Sequence, residues 1–599
     1  MTTVPARADV PIESTWNHES VFPSFDAWRE EYQATVAAVG GIAPFQGTLA
    51  QSPERLAEWF DSHSAIARRV WTLYMYPVMW QACDGNNEEI KGMVGQAQGL
   101  AGQFSAAVAF AEPELLAMDE QKLLGWLELD ALKMYQHLID DLLRKKKHVL
   151  SAEVEAALGL LSDPLSRIES IRSALNDMDL TFEAAVDSAG ETQPLVQSTI
   201  NNLLADSDRE VRKNAWRNYA DSYLKFNNTL ATTYLASAKS NVVRARMRGY
   251  ESVLHAKLSP SNIPVEVFHN LIDTYQKHIP TWHRYWDVRR RALGYETIHP
   301  WDIWAPLTAD DPRLTFPQAV DMIAEGMAPL GADYVSVMRR GCLEERWVDY
   351  AINDGKSEGA FSFGTYDSLP FIMMSFDGNL SSMSTLAHEL GHSMHSYYTR
   401  ETQPFVYSHY SMFAAEVASN FNQAMVRAHL FARNDDRVFQ LALIQEAMDN
   451  IHRYFFIMPT LARFELEVHT RMEKDEPLTP ESLNQIMSGF FAEGYGETMS
   501  DDKRRTGITW AQFGHLYEAY YTFQYATGIS AAHALANAIL AGDDASAVER
   551  YLAFLRAGGS EYPIPALQAA GVDMSTPLAV EETFAVLTEL VDRLEGLIG

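Results

Sequence analysis

The sequence predicts a mainly α protein, a large helical body with one small β-sheet beside its most distinctive helix. Three observations predict it. Apolar residues recur at helical spacing through long tracts, Ser or Asp stands at the start of several of them, and strand-like runs are few. At 599 residues the chain is too long for one simple core. Two or more domains or one large multi-layered helical body are expected, divided into residues 1–200 and 201–599, because a hairpin candidate before residue 200 is followed by a new helical tract at Asp208–Arg212.

In chain order, Ser24 and Ser52 look like helix N-caps, the second with Pro53 at the first helical position. Helices are expected over Glu54–Trp80, Glu88–Ala111, Ala131–Lys147 and Ser151–Leu161. Trp59, Trp71, Tyr74 and Tyr76 sit near helical spacing and read as core. Leu180–Val186 and Pro194–Val196, joined by a turn containing Gly190, read as a hairpin. The proline-bracketed piece His299–Pro306 reads as an extended connector. The apolar run Pro370–Phe376, closed by Asp377-Gly378, reads as a strand.

Composition narrows the function classes. Hydrophobic residues make up 47% and charged residues 21%, as in an ordinary globular chain. With 48 Lys+Arg against 79 Asp+Glu the formal net charge is -31, which argues against nucleic acid or an anionic membrane as partner. The basic run Arg144–Lys147 stands near a helix C-terminus, where the helix dipole favours it. Two cysteines, Cys83 and Cys342, exclude a disulfide framework and leave any metal site to His and carboxylate ligands. Met1 to Ser20 lacks an apolar core of the signal-peptide kind, and no apolar run reaches spanning length, so a cytoplasmic protein is expected.

The chemistry centres on Leu386–His395, which contains His-Glu-x-x-His. On a helix, His388 and His392 lie one turn apart on one face and can grip one metal ion, while Glu389, about 100° round from His388, is placed as a general base. A catalytic zinc needs a third protein ligand. His395 lies about 10.5 Å along the axis from His388, and Glu401 faces about 180° away from His392, so neither fits. Tyr398 stands where the longer metzincin pattern needs a histidine. Glu416, an acid in the apolar, small-residue stretch Ser411–Ser419, is the third ligand this reading assigns. Asn420 reads as a surface residue, with ligand orientation as its alternative role.

Two further pieces bear on a substrate. A strand at Phe371–Phe376 with a free edge could pair with the main chain of an extended peptide. In Trp510–Gly528, Tyr517, Tyr521 and Tyr525 recur every four residues; on a helix their hydroxyls form one stripe, either core or able to donate to an oxyanion.

His388–His395 with Glu416, and the tract His515–Gly528, resemble the thimet oligopeptidase family of zinc metallopeptidases, family M3, and within it the oligoendopeptidase F branch. The same resemblance is carried by Asp208–Arg212, Arg246–Ser252, Gly355-Lys356 with Gly359-Ala360, Gly364–Asp367 and Ala557–Ser560, and it extends from Trp16 to the C-terminal helix. It implies a helical ellipsoid with a deep central channel, residues 1–200 forming one wall and 201–599 holding the zinc site. It further implies one zinc per chain on His388, His392 and Glu416, Glu389 as base, substrate or transition-state contacts from His515 and some of Tyr517, Tyr521 and Tyr525, and Phe371–Phe376 as the substrate-pairing strand. The chain departs from the family pattern at Ile457-Met458, at Ser357-Glu358 and at Phe523, where a tyrosine is frequent.

The expected function is zinc-dependent hydrolysis of internal bonds in short, unstructured oligopeptides. The alternatives are a non-catalytic zinc-containing peptide-binding protein, against which the intact Glu389 argues, and a carboxypeptidase of related helical fold, which would need a cation for the substrate's free carboxylate.

Overall fold

A computed structural model of the chain describes residues 4–309 and 312–599. Helices dominate it, and two small sheets accompany them. Strand β1 (Ala185–Val186) pairs antiparallel with β2 (Thr192–Gln193), so the hairpin forms two residues nearer its turn than the sequence indicates. The second sheet has the order β3-β5-β4, from β3 (Val348–Asp349), β4 (Phe361–Phe363) and β5 (Phe371–Met373). β3 and β5 run parallel, and β4 lies antiparallel to β5 with Ser362 opposite Ile372.

Helix starts follow the sequence closely. Ser24 Oγ accepts from the Ala27 N–H at 3.1 Å, and Ser52 Oγ accepts from the Arg55 N–H at 3.2 Å, opening the helices Phe25–Gly40 and Pro53–Cys83. Lengths follow less well. The helix expected to end at Ala111 stops at Val108, and the one expected to end at Leu161 runs from Ala152 to Ala174. Trp59 and Tyr76 are core, but Trp71 is exposed and meets Tyr74 edge-on, because the buried stripe of that helix passes through Val70 and Leu73.

Two compact units emerge, each assembled from three stretches of chain, and residue 200 lies inside the second. The first comprises Met1–Lys147, Arg313–Val426 and Ala538–Ala570. Its core gathers Trp16, Trp28, Leu73, Tyr76 and Phe371, with the Trp28 Nε1–H donating to the Leu73 carbonyl at 2.9 Å. The second comprises His148–Pro312, Arg427–Asn537 and Gly571–Gly599. Trp282 and Trp286 stack on one another there, and each meets Phe456 edge to face.

The connector after His299 is a 3₁₀ turn, Pro300–Asp302, rather than an extended segment. Its reason is Asp302, fully buried, whose carboxylate accepts from Arg209, Arg212 and the His299 N–H and so pulls the chain into a turn. Among the described residues no helix is long and apolar enough to cross a membrane, and both cysteines are buried and free.

The sheet of the first unit is pinned by an equivalent device. Asp349, with no exposed surface, accepts from Arg7 Nη1 at 2.9 Å, Lys356 Nζ at 2.7 Å and the Trp16 N–H at 3.2 Å. Burial alone would push this carboxyl up, but Arg7 and Lys356 together hold it below its ordinary value of 3.8. Asp349→Asn leaves Arg7 and Lys356 without their charge partner and is expected to remove about 3 to 5 kcal/mol in urea denaturation at pH 7. Since the folded pKa is depressed, the wild type's advantage is full above pH 3.8 and fades as the pH falls through the lower folded value. An advantage that grew on acidification would contradict this assignment.

Candidate active site

The His-Glu-x-x-His segment lies in the helix Leu380–Thr402. Asn379 and Ser382 start it with a capping box: Asn379 Oδ1 accepts from the Ser382 N–H at 2.7 Å, and the Asn379 N–H donates to Ser382 Oγ at 3.2 Å. Gln403-Pro404 ends it. Beside it runs the helix Met412–Arg433, which carries Glu416. The two backbones approach so closely that a Cβ on Gly391 would stand 2.4 Å from the Ala418 carbonyl oxygen and 2.5 Å from Ser419 Cα. Only glycine permits that contact.

The approach brings three of the residues singled out in the sequence together. His388, His392 and Glu416 each offer one ligand atom, and these atoms all lie within 4.8 Å of one another. His388 Nε2 is 3.7 Å from Glu416 Oε2. Hydrogen bonds behind the cluster aim the rings. His388 Nδ1 donates to Gln423 Oε1 at 3.1 Å, which leaves the Nε2 lone pair facing the cluster, and Gln423 Nε2 in turn donates to Ser384 Oγ at 2.8 Å. The His392 ring bonds the Ala415 carbonyl. Asn420, read from the sequence as a surface residue, is buried and donates to the Glu416 carbonyl at 2.8 Å.

Glu389 is buried on the same helix. The Ser362 N–H of β4 donates to its carboxylate, its Oε2 has no partner, and Ser362 Oγ meets Ser393 Oγ at 2.8 Å one turn further along. Burial, then the charge of Glu416, raises the Glu389 carboxyl to about 8; burial raises Glu416 to about 7 and drives His392 well down. Two carboxylates and two imidazoles crowded in a buried spot are at odds with one another unless a cation lies between them. Such a donor set suits a divalent ion of zinc type. The residues rejected from the sequence stay outside: His395 stacks on Tyr410 at 3.6 Å, and Glu401 is exposed.

The second unit holds the other group of expected site residues. Trp510–Gly528 is not one helix: Gly514–Tyr517 is a 3₁₀ turn, Tyr520 adopts φ 57, and a new helix starts at Phe523. The buried Glu465 carboxylate accepts from the Tyr520 N–H and from Thr522 Oγ1, both at 2.8 Å, and holds the break in place. His515, Tyr521 and Tyr525 still converge: the His515 ring is 5.9 Å from each tyrosine ring, and Tyr525 Oη donates to Tyr521 Oη at 3.4 Å. Tyr517 turns to Tyr234 and Arg172, so the single stripe of hydroxyls does not form.

Comparison with known proteins fits this geometry. Residues 202–586 match the model of peptidase family M3, and residues 114–182 match the oligopeptidase F model. The chain belongs to peptidase family M3. By that membership it is an enzyme, a metalloendopeptidase. Its relatives include Oligopeptidase PepF of Bacillus subtilis, 38% identical over 99% of this chain and 89% of the relative. Group B oligopeptidase PepB of Streptococcus agalactiae is 32% identical over 99% and 98%. Similar solved structures include a putative peptidase from Chlamydophila abortus, with a TM-score of 0.89 and 29% identity over 99% of this chain and 100% of that one. Oligoendopeptidase-F from Enterococcus faecium has a TM-score of 0.75 and 28% identity over 96% and 99%.

Two features of the candidate site escape the sequence reading. Gln423 follows Glu416 by seven residues, two helical turns on the same face, which is the signal that could have found it. Gly391 showed no local cue beyond lying between the two histidine positions. Gly391→Ala is expected to lower stability by about 1 to 3 kcal/mol in chemical denaturation, because a methyl group must force the two helices apart. A neutral or stabilising effect there would show that the close approach is not a constraint.

Proposed function

We propose that the chain hydrolyses internal amide bonds of short, unstructured oligopeptides, with one zinc ion held by His388, His392 and Glu416 and Glu389 as general base and acid. The observation that carries this reading is the cluster of two imidazoles and a carboxylate within 4.8 Å, next to a buried carboxylate whose second oxygen lacks a partner. When bound, zinc supplies Lewis acidity toward carbonyl and water oxygens. Glu389 does the proton work. One oxygen is fixed by the Ser362 N–H, leaving the other to take a proton from water and hand it to the departing amine.

Substrate main chain is assigned to β4 rather than to Phe371–Phe376. β5 is the central strand, with both of its edges used, whereas β4 pairs on one side only and turns its other edge, through the Ser362 N–H, toward Glu389. An edge strand grips an extended peptide by its backbone and accepts many side chains. His515, Tyr521 and Tyr525 are assigned as donors to substrate or to the oxyanion, a role the family resemblance implies and their mutual convergence supports. Tyr517, packed on Tyr234, is the weaker candidate of the tract. The buried, unpaired cysteines suit a reducing cytoplasm.

Cleavage of an end-blocked, internally quenched peptide tests the reaction, because blocked ends admit an endopeptidase and exclude an exopeptidase. A chelator is expected to abolish it and added zinc to restore it. Glu389→Gln is expected to lower kcat by about 10²- to 10⁴-fold while elemental analysis finds metal content unchanged; near-normal turnover removes Glu389 from the chemistry. Gln423→Ala, which frees the His388 ring, is expected to weaken zinc affinity about 10- to 100-fold in competition with a metal indicator. Unchanged affinity would reduce Gln423 to a packing residue.

A further inference from the structure

The helix that carries His388, Glu389 and His392 continues to Thr402, and near its end stands an arginine with no counterpart. Arg400 makes no hydrogen bond or ion pair with any described residue. Its Nη1 is sealed from solvent without an acceptor, while the residue as a whole is half-buried. Burial pulls it down to about 10, which still leaves it charged at neutral pH. The group that acts on its charge is the Tyr410 hydroxyl, and no carboxylate does so. His409, also close, is pushed down by burial and by the Arg400 charge, so it too is neutral.

An enclosed guanidinium without an anion is unfavourable, and several arginines of this chain are answered by a carboxylate. Arg7 meets Asp349, Arg212 meets Asp302, and Arg427 meets Glu446. Arg400 has no such partner among the described residues, and it lies at the end of β4. Gly364 follows that strand directly, and a Cβ built on it would stand 2.8 Å from Arg400 Nη1 and 2.8 Å from the Leu369 carbonyl oxygen. The absent side chain is what gives the guanidinium its place.

Arg400 also faces the right way. It follows Glu389 by eleven residues, so it lies within about 20° of the same helix face and roughly 16 Å further along the axis. Ser393, on that face between them, touches Ser362 of β4. A peptide extended along the β4 edge advances about 3.3 Å per residue, and the arginine side chain leans back toward the helix N-terminus, so four or five residues separate the two points.

We propose that Arg400 is the carboxylate-recognising residue of the peptide site, taking a carboxylate that the substrate carries about four or five residues from the bond that is cut. That carboxylate is either the C-terminal one of a short peptide or an acidic side chain of a longer one. The inference rests on the peptidase reading above and on β4 as its main-chain edge. It adds a charge preference to a site whose backbone pairing has none.

The test uses the full-length, metal-loaded enzyme and one neutral, end-blocked quenched peptide. One set of variants replaces its C-terminal amide by the free acid at varied distance from the cut; a second set replaces Asn by Asp at the third to sixth residue on either side. One acidic position is expected to raise kcat/KM about ten- to hundredfold over its neutral counterpart, chiefly through KM, and Arg400→Gln to bring that ratio to one. A purely structural role for Arg400 would instead lower acidic and neutral substrates in proportion and leave the ratio intact, which overturns the inference. So does a wild type that shows no acidic preference, a result that holds even if the variant fails to fold. Cleavage of the neutral parent without any such preference sinks the arginine's role and leaves the peptidase reading standing. No cleavage of any peptide sinks both.

Discussion

The candidate site depends on one steric fact, the contact of two helix backbones at Gly391. His388 and His392 are fixed relative to each other by helix geometry alone, but Glu416 belongs to a different helix and reaches them only because Gly391 lets that helix in against Ala418 and Ser419. With an ordinary side chain at position 391 the axes would separate by the thickness of a methyl group or more, and the 3.7 Å between His388 Nε2 and Glu416 Oε2 would open with them. The same helix pair places Gln423 behind His388 and the Ala415 carbonyl behind His392. One missing Cβ therefore sets both the ligand triangle and the hydrogen bonds that aim it.

Electrostatics then give the pocket its character. Burial pushes Glu389 and Glu416 up into the neutral range and His392 down, so each of these groups resists the charge state it would adopt in water. Folding tolerates this arrangement because the frame around it is held elsewhere. Asp349 pins the sheet to Arg7, Lys356 and the Trp16 backbone, and Thr399 Oγ1 donates to the Leu555 carbonyl to hold the far end of the motif helix. Strongly shifted groups gathered inside a well-satisfied frame are the physical mark of a functional site.

How much of this the sequence shows depends on whether the cause is local. Ser24 and Ser52 cap the helices whose starts they mark, since a cap acts within three residues. The ligand candidates are legible for a similar reason: helix periodicity pairs His388 with His392, and an acid among small apolar residues marks Glu416. What is not legible comes from partners distant in the chain. The tyrosine stripe breaks because Glu465, more than fifty residues upstream, captures the Tyr520 N–H and Thr522. The His299–Pro306 piece turns because Asp302 answers to Arg209 and Arg212, far back in the sequence. Strand order is hidden likewise: the strand read at Phe371–Phe376 forms over Phe371–Met373, and its place in the middle of the sheet is decided by β3 and β4.

That last difference changes what the sheet can do. A central strand has no backbone groups to spare, so the apolar run that draws attention in the sequence is scaffold, and the half-buried β4, with its Ser and flanking Gly, is the edge to which the proposed function assigns the substrate. An edge that recognises only main chain accepts almost any extended peptide, and selectivity has to come from fixed points along it. Glu389 is one such point, tied to β4 through Ser362. Arg400, lodged against Gly364 one strand-end further on, is the other that the geometry supplies. On the proposed reading, a base that meets the scissile bond and a cation that takes a carboxylate further along would together determine the register of a bound peptide on an edge that grips only its main chain.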